Sequence, residues 1–177
     1  MPEAPLRLRI HVDAENAIRY LGEMKDRSED FTAPLKWAKR EMGLMNGKNF
    51  AKNGLPSGQR WAPLDREYAA WKLEGGRVGV SGRGVRGTAG AGAMLVLSKK
   101  LFNSLRNLNG PANIIRNTHA EFGTHIEYAK FHQYGTSKMP KRQIVYEPKG
   151  FAKMLAKVCA THIVEGRLGV TTGALLS

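Results

Sequence analysis

Leu6, Leu8, Ile10 and Val12 alternate with Arg7, Arg9 and His11, the period-two pattern of a strand with one buried face and one wet face. From Asp13 the period changes. Ala14, Ala17, Ile18, Leu21 and Met24 recur at helical spacing behind Asp13 in the N-cap position, which predicts a first helix beginning there. Pro34 would cost a helix interior one hydrogen bond, so a kink or a fresh start is expected near it. Thr32 is its expected cap, and Leu35, Ala38, Met42 and Met45 carry an apolar stripe onward. Asn46 to Arg60 is polar and contains Gly47, Gly54, Pro56 and Gly58, the composition of a loop. It leads into Trp61-Ala62-Pro63-Leu64 and a short helix from Asp65 to Leu73.

Residues 75–92 have glycine at nearly every second or third position, with small residues and arginines between. Such a stretch buries little on folding, and it reads as a flexible basic insertion. Structure resumes at Met94 to Leu97, and Leu101, Leu105 and Leu108 mark helical turns. Ala112–Asn117 and Ala120–Glu127 read as a hairpin, because Ala120, Phe122, Thr124 and Ile126 alternate with polar neighbours. Tyr128 to Tyr134 forms a short helix stopped by Gly135, and Gln143 to Glu147 forms a strand. Pro148 opens a last helix with Phe151, Met154, Leu155, Val158, Cys159, His162 and Ile163 on one face, ended by Gly166 or Gly169. Residues 167–177 read as a C-terminal arm. This order predicts one α+β domain over residues 1–177: a small, mostly antiparallel sheet packed against two or three helices, with a long glycine-rich loop.

Composition narrows the classes. With 177 residues, 42% hydrophobic and 24% charged, the chain suits one globular core. A single cysteine, Cys159, excludes an internal disulfide, and its place on an apolar stripe suits a buried, inert thiol. No run approaches the roughly 20 apolar residues needed to cross a bilayer. The segment Met1–Pro5 lacks the pattern of a secretory leader, so a cytosolic protein is expected, with no membrane partner. The net charge is +13, and no acidic residue lies between Glu74 and Glu121, a span that holds Arg77, Arg83, Arg86, Lys99, Lys100, Arg106 and Arg116. A one-sided field of this kind favours nucleic acid or acidic protein surfaces.

Candidate chemistry is sparse. Gly82–Gly87 matches the G-x-G-x-x-G pattern, but that motif needs a strand before it and a helix after it, and neither is expected here. No cofactor is therefore expected. His119, Glu121 and His125 share one face of the expected hairpin and His132 follows, yet the spacing matches no metal site, and wet-face histidines are usually solvated. Trp61, Tyr68 and Trp71 interleave with Arg60, Arg66 and Lys72 as in single-stranded nucleic-acid binders, although such rings more often anchor a loop on a core.

Two clusters carry a resemblance. The first is Arg60-Trp61-Ala62-Pro63-Leu64 followed by Tyr68 and Lys72. The second is Tyr128-Ala129-Lys130-Phe131-His132-Gln133-Tyr134-Gly135, then Met139-Pro140-Lys141-Arg142 and a strand. In order and separation they resemble the virion morphogenesis, or tail completion, family of tailed bacteriophages, over roughly Phe31 to Glu147. Leu101 and Ser104 keep the places of a third family element, whose glycine is here replaced.

The resemblance implies a non-enzymatic structural protein of the virion tail or neck, with no cofactor or metal. It implies a homo-oligomeric ring, six-fold, at the head–tail junction. The ring's partners would be the head connector or adaptor and the tail tube or tail terminator, close to packaged DNA. The motif residues Trp61, Pro63, Leu64, Tyr68, Tyr128, His132, Gln133, Gly135, Pro140 and Arg142 would then be architectural. At His132 a hydrogen bond that pins the short helix to the loop that follows is expected, not a catalytic role. Arg77, Arg83 and Arg86 would form an interaction loop. The alternative on charge alone is a basic nucleic-acid-binding module.

Overall fold

A computed structural model of the protein describes residues 14–73, 77–78, 85–86, 94–96 and 98–169. The described residues form six α-helices and two small antiparallel ladders, a mixed α and β content consistent with the α+β expectation. The helices are α1 (Ala14–Glu29), α2 (Thr32–Ala51), α3 (Arg66–Leu73), α4 (Lys100–Asn107), α5 (Ala129–Tyr134) and α6 (Phe151–Glu165). The ladders pair β1 (Arg77–Val78) with β2 (Val85–Arg86), and β3 (Ile114–Ile115) with β4 (Ala120–Glu121). The expected first strand at residues 6–12 lies outside the described residues. So do the rest of the glycine-rich segment and residues 170–177 of the expected arm. Among the described residues no helix is long and apolar enough to cross a membrane.

Helix α2 is the centre of the molecule and corrects the expected loop over 46–60. It runs unbroken to Ala51 and buries Asn46, Asn49 and Phe50. Gly47 is no breaker here. Together with Gly43, one turn earlier, it forms a shallow strip on which α4 lies. A Cβ on Gly43 would sit 2.3 Å from the Arg106 carbonyl oxygen, and one on Gly47 would sit 2.8 Å from the Arg106 side chain. The buried asparagines stay in the helix because their amides bond outward. Asn46 Nδ2 donates to the Leu105 carbonyl (2.9 Å), one of the carbonyls that the end of α4 leaves without a helical partner. At the other end of α2 a new start does occur near Pro34, but Thr32 is the first helical residue and not the cap. Phe31 takes the N-cap position, and the Asp30 carboxylate accepts the Thr32 N–H (2.8 Å).

Among the described residues the sheet is smaller than expected, and amide side chains serve as partners for extended backbone. In the 112–127 hairpin only Ile114–Ile115 and Ala120–Glu121 pair. Beyond them Asn113 takes over: its Oδ1 accepts the Gly123 N–H (3.0 Å) and its Nδ2 donates to the Gly123 carbonyl (3.2 Å). Among the described residues no ladder includes the expected strand at 143–147, although Arg142, Ile144 and Tyr146 are buried in strand-like alternation. Gln133 supplies this segment with backbone partners. Its Oε1 accepts the N–H groups of Ile144 (2.9 Å) and Val145 (3.0 Å), and its Nε2 donates to the Val145 carbonyl (2.9 Å). A buried backbone needs its hydrogen bonds from some source, and a side-chain amide carries the same donor and acceptor as a peptide.

Two apolar clusters result. Phe50, Trp61, Val96, Leu101, Leu105, Ala129 and Ile144 form the larger, with Trp61 and Phe102 edge-on to Phe50. Trp37, Ala38 and Val158 form the smaller under α6, where Phe151 stacks on Trp37. Gly166, left-handed at φ +70°, ends α6.

Candidate functional site

The two motif clusters, about 70 residues apart in the chain, meet in space. Trp61 is buried in the larger cluster, and its indole Nε1 donates to the Gln143 carbonyl (3.0 Å), which also accepts from Asn49 Nδ2 (3.0 Å). Arg142 is 5% exposed and reaches back to the first cluster: its Nε donates to the Ala62 carbonyl (3.1 Å) and its NH2 to the Pro63 carbonyl (3.2 Å). Trp61 and Arg142 thus cross-link the clusters through backbone carbonyls that form no regular secondary structure. Burial lowers the Arg142 pKa, with a small opposing effect from Tyr68, yet a guanidinium stays charged at any physiological pH.

The second cluster is a tight turn. Gly135 stops α5 at φ +77°, and a Cβ there would lie 2.9 Å from the Lys141 nitrogen, so both conformation and space call for glycine. Thr136 bridges Met139, and the Arg142 N–H donates to the His132 carbonyl (2.7 Å). The pin between α5 and the following loop is therefore the His132 main chain and not its ring. The ring lies edge-on to Tyr128, and its buried Nδ1 has no hydrogen-bond partner. Burial, reinforced by the nearby Arg142 charge, holds the His132 pKa below the ordinary histidine value. The Tyr128 phenol is pushed up by burial, partly offset by a hydrogen bond with the Leu101 backbone.

Between α3, α4 and α5 these residues enclose a cavity of about 650 Å³. Pro63, Leu64, Tyr68 and Lys72 line it from the first cluster, and Tyr128, His132, Met139, Pro140 and Arg142 from the second. The start of α4 completes the wall with Leu101, whose neighbour Ser104 bonds the Thr124 hydroxyl (2.8 Å). Lys99 and Lys100, named in sequence only as part of the basic span, also face the cavity, and sequence reasoning missed Leu95, Lys138 and the buried amides of Asn46 and Asn49. The asparagines carried one signal, their spacing of three beside Phe50 on one helical face. Lys138 carried none, because it stands apart from the basic span.

Other sequence candidates are dispersed. His125 lines a different cavity from His132, and among the described residues no group of three histidine, cysteine or acidic side chains is placed to hold a metal ion. Arg83 lies outside the described residues, and of Arg77 and Arg86 only their backbone pairing is described. Most of the G-x-G-x-x-G stretch lies outside them too; its Val85–Arg86 is a strand. Cys159 is half-buried, and burial raises its thiol pKa, which leaves it protonated and unreactive at neutral pH. No protein-family model, curated protein or solved structure matches this chain.

Proposed function

We propose that this chain is a structural virion assembly protein, a tail completion or neck component that forms a ring at the head–tail junction of a tailed bacteriophage. The observation that carries the reading is the Arg142 cross-link. The last residue of the second motif cluster holds the backbone of the first, so the two stretches that resemble the family form one built unit. Trp61, Gln133 and Arg142 all direct their polar atoms to backbone groups. Side chains used in this way define a shape, and a fixed shape is what a ring subunit presents to its neighbours.

Peptide mass spectrometry of gradient-purified particles tests the assignment. The chain should co-purify at a constant ratio to the major capsid protein, far below one to one. Its absence from particles while it is abundant in the lysate would contradict a virion role.

One observation favours a second reading, a nucleic-acid-binding module: five cationic side chains, Lys72, Lys99, Lys100, Lys138 and Arg142, surround the cavity. On that reading affinity for short DNA falls steeply with salt, and replacing Arg77, Arg83 and Arg86 flattens the dependence.

A further inference from the structure

We infer that the cavity between α3, α4 and α5 is a socket for an acidic, apolar segment of a neighbouring protein: one aliphatic or aromatic side chain in the cavity, with carboxylates on the rim. This rests on the assembly reading and names the chemistry of the partner.

The size fits. About 650 Å³ lies within the roughly 300–1,000 Å³ of sites that enclose a small ligand or a few side chains. The wall is apolar, built by Leu64, Leu95, Leu101 and Met139 with the rings of Tyr68 and Tyr128.

The charge is one-sided. Among the described residues that line the cavity, Lys72, Lys99, Lys100 and Lys138 stand beside the buried Arg142 and a single carboxylate, Asp65, whose Oδ1 already accepts the N–H groups of Glu67 (3.0 Å) and Tyr68 (3.2 Å) at the start of α3. Burial also lowers the Lys72 pKa, so a partner carboxylate would meet a cation that has lost part of its water.

The wall chemistry separates a peptide from a nucleic acid. Single strands bind on open aromatic faces. Here Tyr68 and Trp71 stack on one another (5.4 Å, 27° between planes), and the deeper wall is aliphatic. An apolar side chain fills such a surface better than a base does.

The socket is also preorganised. Arg142 and the Thr136–Met139 bridge hold one side, and Tyr128 holds the other against the start of α4, so little ordering cost falls on binding. The glycine-rich segment begins and ends at this site, because Lys72 before it and Leu95 after it both line the wall.

Selection of a random peptide display library on the full chain is the test, with the double variant Lys100→Glu, Lys138→Glu as counter-selection. Both lysines are exposed, and a matching melting temperature would verify that the variant folds. Recovered peptides should pair one apolar side chain with two or more nearby carboxylates. The best of them should bind the double variant at least about tenfold more weakly, and Met139→Ser more weakly as well. A consensus without acidic residues, equal recovery on the variant, or displacement of the selected peptide by oligo-dT at comparable concentration would overturn the socket. Acidic peptides that bind as described, from a phage whose particles assemble normally without this gene, would sink the assembly reading and leave the socket standing. The opposite pair of results would do the reverse.

Discussion

Helices α1 and α2 are of similar length, 16 and 20 residues, and sequence periodicity ranks them in the wrong order. Helix α1 has the cleaner apolar stripe, yet it buries no residue, and Ile18 and Leu21 are 69% and 62% exposed. It is attached to α6 largely by polar groups. The Tyr20 hydroxyl donates to the Val164 carbonyl (2.8 Å) and Arg27 Nε to the Ile163 carbonyl (2.8 Å), at the end of α6 where carbonyls lack helical partners and a cation is favoured. Helix α2 has a weak stripe because it is enclosed on several sides, by α4, by α6 and by the 142–146 segment. It buries Glu41, Asn46 and Asn49 along with Trp37 and Phe50. A regular stripe marks a helix with one apolar face, and it does not say whether that face is covered. A central helix is recognised by polar residues with work to do inside.

The comparison can be broken most strongly at Trp61. Trp61→Ala removes a buried ring and a donor to Gln143, and should cost about 3–5 kcal/mol in urea unfolding. A loss below about 1 kcal/mol would mean that the motif cluster is not part of the core.

Gln133 probes the side chain that supplies backbone partners. Gln133→Ala leaves two backbone N–H groups and one carbonyl without their partner, at a cost of about 1–3 kcal/mol. Gln133→Glu keeps the acceptor and should lose less.

Gly43 sharpens the account of α2. Helix propensity alone makes Gly43→Ala favourable by about 1 kcal/mol, whereas the approach of the Arg106 carbonyl makes it unfavourable by about 1–3 kcal/mol. Thermal melting gives the sign. Gly47→Ala should be milder, since it meets a flexible arginine side chain.

On α1, Ile18→Ser and Leu21→Ser should each change protomer stability by no more than about 0.5 kcal/mol, as for any exposed position. A larger loss would show that this face is covered in solution.

The smallest effect is one of pH. The folded-state pKa of His132 lies below its unfolded value of about 6.5, so the unfolded chain takes up the proton first. Its contribution to stability is complete above that value and is lost as pH falls through it. Between about pH 7.5 and about pH 5.5, roughly one unit either side of the unfolded value, the wild type should lose slightly more stability than His132→Gln. Parallel losses would place the ring in water.

The sequence made some parts legible and not others, for physical reasons. Helices α5 and α6 were readable because their ends carry glycine and their faces are simple: Gly135 and Gly166 are where the helices stop. The alternation at 142–146 was readable as well, since burial follows the pleat whether or not a strand lies alongside. What could not be read was the source of the hydrogen bonds, because nothing in the sequence marks the amides of Gln133, Asn113 and Asn49 as partners for distant backbone groups. The extent of α2 was lost for a related reason. Gly47 and Asn46 are breakers in isolation and become contacts only when α4 arrives. Of the candidate site, the motif residues stood out by their pattern, while the lysine rim depends on how three segments fold together.

The central claim is a role in joining virion parts, and electron microscopy of lysates from a phage deleted for this gene, beside a complemented control, tests it most directly. The account predicts filled heads beside detached or overlong tails, restored to whole particles by the wild-type chain. Normally joined particles from the deletion would contradict it.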